Sequence, residues 1–508
     1  MNKMYVLNSA DMTMADECTI EKLGIDQAVL MERAALAVVE CVHKYNPKKV
    51  LCVCGNGNNG GDAVAVARIL KMQGIIADVF MCGEPKKWKD SVTKQYDILK
   101  KVEGRTVTDV AFEEYDIIVD GILGVSTNPR NLEGKYEAIV CRINDAGKKG
   151  AKIISVDIPT GVHPDKGTIL NVAVEADETV AFAYYKPGHL LYPGASCCGK
   201  VTVADIGIRY EFVCDKMNLK QFTLPRNECS VSLPKRRRDG NKGTFGRVLI
   251  IAGSSSMYGA CYLSALAAFR MGVGLVDIFT HECNREILHQ NLPEAILHTY
   301  ADDKVDEYEL CKLMERADAV LIGPGLSTDD TAHKLVEIVL KHCDKKLVVD
   351  ADALNCIAAK PEYFHYMARP DRPDVIFTPH PGELSRLLDK TVAELQADYI
   401  DVVKKYASDH FITVVAKGAG TVVSDGAYVY INQTGNDGMA TAGSGDVLSG
   451  IVVALCVNNN SEFEAARKGV FLHGKAGDFA AHNMGNVSLI ASDIIEALPE
   501  ILKEENGF

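Results

Sequence analysis

Two doubly wound α/β domains in tandem are the architecture this 508-residue chain predicts, the first of them Rossmann-like. Three observations carry that reading. Apolar runs of strand length alternate with amphipathic stretches through both halves, as strands buried on both faces require. The alternation breaks at Leu224–Lys242, where Pro225, Pro234, a Lys-Arg-Arg-Arg run, Gly240 and Gly243 crowd together. The length also exceeds what one hydrophobic core usually serves.

In the first half Lys49–Cys54, Ala77–Cys82, Ile117–Asp120, Ile153–Asp157 and Thr179–Ala183 read as strands, with Gly199–Ile206 the last. Asp62–Met72 and Lys135–Ala146 read as the helices between them. Past the break, Arg247–Gly253 starts a new strand, followed by a small-residue helix over Ala260–Met271. The strands Leu275–Phe279, Ala319–Ile322, Leu347–Asp350, Val375–Thr378 and Thr413–Ala416 follow. The expected domains are therefore 1–223 and 224–508.

A formal charge of -13 argues against nucleic-acid or anionic-membrane partners, because so acidic a chain gains nothing from counterion release. The run Lys235–Arg238 reads as a solvated linker. Sixteen scattered cysteines show no Cys-x-x-Cys pair, so neither zinc nor a disulfide framework is expected. With no apolar signal core at the start and no bilayer-length apolar run, the expectation is a cytoplasmic protein without membrane contact. A homo-oligomer is also expected.

Gly55-Asn-Gly-Asn-Asn-Gly-Gly-Asp62 follows a strand and precedes a helix, and its glycines satisfy G-x-G-x-x-G. The turn also carries Asn58, Asn59 and Asp62, more polarity than a plain dinucleotide turn needs. Two further strands end in carboxylates, Asp120 before Gly121 and Asp157 before Ile158-Pro-Thr160-Gly161. Either acid could be a cap or turn former, but ligands bind at C-terminal strand ends, so the three sets should converge on one crevice. Asn59, Asp120 and Thr160 offer oxygen ligands suited to a hard cation, which leaves Asp157 as a candidate proton shuttle.

These segments, with Leu30-Met-Glu-Arg-Ala34, resemble the NAD(P)H-hydrate epimerase domain. The resemblance implies that Asn58, Asn59, Gly60, Gly61 and Asp62 hold the hydrated dinucleotide. It also implies that Gly124, Val125, Ser126, Thr127, Asn128, Pro129 and Arg130 close over it and that Asp157 contacts it. Potassium would sit on Asn59, Asp120 and Thr160. Where that family commonly has Gly-Thr-Gly after the second strand, this chain has Gly124-Val-Ser-Thr-Asn128.

In the second half, Gly443-Ser-Gly-Asp446 runs straight into an apolar helix. Small residues at a helix start let backbone amides approach an anion, and Asp446 at that mouth could take a hydroxyl proton while a phosphoryl group arrives. Its plainer role is a helix cap. Lys417-Gly-Ala-Gly-Thr421 offers a lysine and free amides as a phosphate cradle. In Thr378-Pro-His-Pro-Gly-Glu383, Glu383 could hold magnesium through water and His380 could touch substrate. Asp350 and Asp352 read as helix caps ahead of Leu354.

With Lys242-Gly-Thr-Phe-Gly-Arg-Val248 and Gly253-Ser-Ser-Ser-Met-Tyr-Gly-Ala260, these motifs look like the ADP/ATP-dependent NAD(P)H-hydrate dehydratase, a ribokinase-like fold. The resemblance spans nearly all of 225–508. It implies that Ala260, Gly325, His380 and Asp446 contact the hydrate. Lys417, Gly418, Ala419, Gly420, Thr421 and Gly445 would bind ADP or ATP with Mg²⁺. Tyr258 stands where that family often has proline, and Ser327 where glycine is common.

The sequence thus predicts a bifunctional repair enzyme. The first domain interconverts the epimers of NADH- or NADPH-hydrate. The second phosphorylates the S form at the expense of ADP or ATP, and elimination of phosphate restores NAD(P)H. A vitamin or sugar kinase of the same fold is the first rival and a non-enzymatic binding scaffold the second.

Overall fold

Alternate residues of each apolar run face opposite sides of a sheet, and both sides are buried. In the computed structural model, which describes residues 3–126, 128–209, 219–227, 238–301, 304–367, 374–457 and 460–506, this produces one parallel and one mostly parallel sheet in two compact units, Met4–Leu219 and Lys220–Phe508.

The first unit holds β1 (Lys49–Cys54), β2 (Ile76–Met81), β3 (Arg105–Val107), β4 (Ile117–Gly121), β5 (Lys152–Val156), β6 (Glu178–Phe182) and β7 (Lys200–Ala204). They form a seven-stranded sheet in the order β3-β2-β1-β4-β5-β6-β7, with every neighbouring pair parallel. Val50, Cys52 and Cys54 of β1 pack with helices Gln27–His43 and Asn58–Met72. Leu51 and Val53 face the other way, onto helix Lys135–Lys148. Strand order reverses between β1 and β4, so a crevice opens at their carboxyl ends.

One expected helix start is wrong by a full turn. The helix placed over Asp62–Met72 begins at Asn58, directly after Gly57. Gly60 and Gly61 hide the start from propensity, yet the backbone needs them there. A Cβ on Gly60 would lie 2.1 Å from the Gly55 carbonyl oxygen, and one on Gly55 would lie 1.8 Å from that of Ile122.

The second unit holds β8 (Gln221–Thr223), β9 (Arg247–Ile251), β10 (Leu275–His281), β11 (Ile296–Tyr300), β12 (Ala319–Ile322), β13 (Lys346–Val349), β14 (Val375–Phe377), β15 (Thr413–Ala416), β16 (Val422–Ser424) and β17 (Val429–Ile431). Their order is β8-β17-β16-β15-β14-β13-β12-β9-β10-β11. The stretch from β15 to β11 is parallel, whereas β15, β16 and β17 are joined antiparallel, a meander the sequence did not announce. Because β8 pairs with β17, the unit starts at Lys220, ahead of the break at Leu224–Lys242. Helix Ser444–Cys456 lies so close to helix Tyr258–Arg270 that a Cβ on Gly450 would meet the Ser264 carbonyl oxygen at 2.3 Å. Among the described residues no helix is long and apolar enough to cross a membrane.

Candidate active sites

In the first unit the switch between β1 and β4 opens two adjoining cavities of about 370 and 560 Å³. Asn58, Asp62 and Asp157 line both, and Gly124, Val125, Ser126, Asn128, Pro129 and Arg130 line the larger. Thr127 lies outside the described residues. The expected convergence of three polar strand ends holds only in part. Asp120 and Thr160 sit beneath the wall, Asp120 with no exposure at all. Gly60 and Gly61, assigned to the ligand, line neither cavity; a Cβ on Gly61 would meet Met31.

Asp120 accepts bonds from the Thr160 amide (2.9 Å), the Thr160 hydroxyl (2.7 Å), the Ser155 hydroxyl (2.9 Å) and the Ile122 amide (3.3 Å). Burial raises its carboxyl above the usual range, and those hydrogen bonds offset only part of the rise. Among the described residues no lysine or arginine pairs with it. Asn59 reaches the same place, its Nδ2 donating to the Leu123 carbonyl at 3.1 Å.

Asp157 adopts a left-handed φ of 64°, which turns its side chain into the crevice. Its Oδ1 accepts from the Phe182 amide at 2.9 Å and from the fully buried Lys186 ammonium. His189 Nδ1 accepts from the Lys186 amide at 3.0 Å, so Nε2 carries the proton and donates to the Asp157 carbonyl at 2.8 Å. Burial, then the Lys186 charge, lowers the His189 pKa to about 4, which keeps it neutral. Asp16, from helix Ser9–Glu21, also faces the cavities; burial, then Asp157, raises it to about 6. Burial, then Asp157 and Asp16, pushes Asp62 well above the usual carboxyl range. Sequence reasoning missed Asp16, Lys186 and His189. The Lys186-Pro-Gly-His189 run after β6 was the available signal.

In the second unit Gly443, at φ 89°, is the N-cap of helix Ser444–Cys456 and makes no side-chain capping bond. Asp446 therefore sits inside the first turn and is not the cap, which removes its plainer reading. Its carbonyl accepts from the Ser264 and Ser449 hydroxyls, each at 3.0 Å. Burial, then the nearby Asp350, raises its carboxyl to about 7 against the opposing pull of Lys417.

Lys417 Nζ donates to Asp350 Oδ1 at 2.8 Å and lies 3.9 Å from Glu383 Oε2. It also lies 3.3 Å from where a Cβ on Gly445 would stand. One ammonium thus serves an acidic group of Asp350, Glu383 and Asp446. Burial raises Glu383 to about 7 despite Lys417.

Two expectations need correcting here, and a third is incomplete. Asp350 does cap, accepting from the Ala351 amide at 2.8 Å, but it also holds Lys417. Asp352 accepts from the Ser327 amide at 2.9 Å, and so orders the turn after Gly325 rather than a helix end. The cradle amides are not all free: Lys417 donates to the Pro379 carbonyl at 2.9 Å and Gly418 to the Thr421 hydroxyl at 3.2 Å. His380 caps helix Pro381–Leu388 through Nδ1, and its Nε2 lies 3.2 Å from Glu383 Oε1, while half the ring stays exposed. Gly325 and Ala260 stand side by side, 3.0 Å between the Ala260 Cβ and one built on Gly325.

Residues 27–188 match the family model of the YjeF-related protein N-terminus, and residues 248–500 that of NAD(P)H-hydrate dehydratase. The bifunctional NAD(P)H-hydrate repair enzyme Nnr of Moorella thermoacetica is 35% identical, over 98% of this chain and 97% of its own. That of Escherichia coli is 32% identical, over 97% and 93%. Among solved structures, the ADP/ATP-dependent NAD(P)H-hydrate dehydratase of Bacillus subtilis, co-crystallised with ATP/Mg²⁺, aligns with a TM-score of 0.50 and 30% identity, covering 55% of this chain and 97% of that one. Relatives of full length carry both units together, which a vitamin or sugar kinase or a binding scaffold would not lead one to expect. The chain belongs to the family of bifunctional NAD(P)H-hydrate repair enzymes.

Proposed function

We propose that the first unit interconverts the two epimers of hydrated NADH and NADPH around Asp157, and that the second dehydrates the S epimer with Asp446 as general base. The observation that carries this reading is Asp446 itself. A buried carboxyl with a pKa of about 7, inside a glycine-lined helix start, suits a base working near neutral pH. Asp446 takes the proton of the ring hydroxyl while the Gly443–Gly445 backbone lowers the energy of the arriving phosphoryl group. Hydroxide leaves poorly and phosphate well, so transfer from ADP or ATP opens an easy elimination. Lys417, Ala419 and Gly420 support the nucleotide; Ala260, Gly325 and His380 shape the hydrate's place. Mg²⁺ accompanies the nucleotide, held by Glu383 through water.

Asn59, Asp120 and Thr160 suit a monovalent cation such as potassium: a buried carboxylate with no cationic partner among the described residues, flanked by neutral oxygens. Such an ion supplies fixed positive charge beneath the crevice. Free thiols, most of them buried, support a reducing compartment such as the cytoplasm.

Asp446→Asn tests the assignment. Nucleotide-dependent turnover should fall by roughly 10²–10⁴-fold while epimer exchange continues; normal turnover would remove Asp446 from the mechanism.

A further inference from the structure

Resting on the epimerase reading of the first unit, we infer that Asp62 and Asp157 form a carboxyl pair that holds one proton across the cavity, Asp62 as acid and Asp157 as base, with Lys186 positioning Asp157. Both carboxyl residues line both cavities from opposite elements, Asp62 on helix Asn58–Met72 and Asp157 after β5. Lys186, the Phe182 amide and His189 fix Asp157 from three sides. The Lys186 side chain has no exposure, and its ammonium is held by Asp157 and, at 3.0 Å, by the Phe182 carbonyl. A buried ammonium needs a charged partner, and Asp157 is the carboxylate paired with it. Asp62 has no such partner among the described residues. The environment that pushes it upward is the one that leaves it a proton to give. Asp16 and Glu17 from helix Ser9–Glu21 and Lys89 also face this space, as does Arg130 at the larger cavity. Their formal charges leave the Asp157–Lys186 ion pair intact.

The pair suits the chemistry of the substrate. Water adds to an enamine with its hydroxyl on the carbon next to nitrogen, so the hydrate is a hemiaminal. Asp157 takes the hydroxyl proton; the O–H electron pair becomes C=O, and the C–N bond breaks with its electrons going to nitrogen. Nitrogen takes the proton of Asp62. Rotation about the neighbouring C–C bond presents the other carbonyl face. Nitrogen then attacks, returns its proton to Asp62, and the oxygen recovers its own from Asp157. The ring closes with inverted configuration, the pair regains its starting state, and no water or co-reactant is consumed.

The test follows separated NADH-hydrate epimers chromatographically from pH 5 to 9 with the full-length protein, after subtracting spontaneous exchange. Asp62→Asn should slow exchange by roughly 10²–10⁴-fold, with an unchanged thermal unfolding transition of the first unit as the control for folding. Lys186→Met, which leaves Asp157 without the ammonium that holds it, should slow exchange at least about tenfold; Lys186→Arg should restore it toward wild type. Hydrate labelled with ¹⁸O at the ring hydroxyl should keep its label through catalysed exchange. Exchange within threefold of wild type in Asp62→Asn or in Lys186→Met, or loss of one label per exchange, would each overturn the inference. Absence of catalysed exchange in the wild type would instead overturn the epimerase reading beneath it.

Discussion

Lys417→Met isolates the electrostatic control of the dehydratase base. Its ammonium lowers the Asp446 carboxyl pKa and works against burial and against Asp350, Asp352 and Glu383. With the ammonium present, Asp446 sits at about 7 and is about half ionised at pH 7. Removing one close opposite charge moves a carboxyl up by about 1–3 units, which leaves roughly a tenth to a thousandth of it ionised at pH 7. kcat/KM for the S hydrate should then fall about 5-fold to 500-fold at pH 7 and recover as pH rises, because the acid limb has moved and the base itself remains. Initial rates from pH 5.5 to 9 at saturating nucleotide measure this, so a weaker nucleotide site does not enter. A wild-type profile flat across this range would refute the reasoning. So would a variant whose rate is lower by one factor at every pH.

Other outcomes follow from the same geometry. Asp446 and Glu383 have folded pKa values raised above their unfolded ones, so their contribution to stability is fully present below about pH 4 and is lost as pH rises through about 7. Asp446→Asn should therefore raise the thermal midpoint of the nucleotide-free protein at pH 8, by an equivalent of up to about 4 kcal/mol, and do little at pH 4; an unchanged midpoint at pH 8 contradicts this. Gly60→Ala should destabilise the first unit by more than about 3 kcal/mol, since its Cβ meets backbone at 2.1 Å. Gly57→Ala, which meets nothing within 4 Å, should change denaturation midpoints little. Potassium should stabilise the first unit by about 2.7 kcal/mol at a hundred times its dissociation constant, and Asp120→Asn should abolish that gain in a salt-matched thermal scan.

Strand positions were legible because both sheets are covered on both faces, so each strand is a continuous apolar run; β1, β12 and β15 have the bounds the sequence predicts. Helix Asn58–Met72 was legible only from Asp62 because its first turn is made of polar residues and glycines. The β16–β17 hairpin went unseen because its strands are only three residues each. At the sites, motifs at strand ends exposed Asp157 and the Asn58–Asp62 turn, and a glycine-rich helix start exposed Asp446. Asp16 stayed hidden because nothing local distinguishes one helical aspartate from the next, and Lys186 because the Lys-Pro-Gly-His run that marks it does not say that its lysine is buried. Asp350 looked like a cap and is one, but its second bond, to Lys417, spans 67 positions of sequence that only the fold brings together.

A single time course tests the central claim most directly. The full-length protein is given an equal mixture of R and S NADH-hydrate with Mg²⁺ and ADP or ATP, and both epimers, NADH and phosphate are followed. The account predicts that both epimers vanish into NADH with one phosphate released per NADH formed, R draining through S. A persistent R epimer, or a stable phosphorylated product in place of NADH, would contradict it.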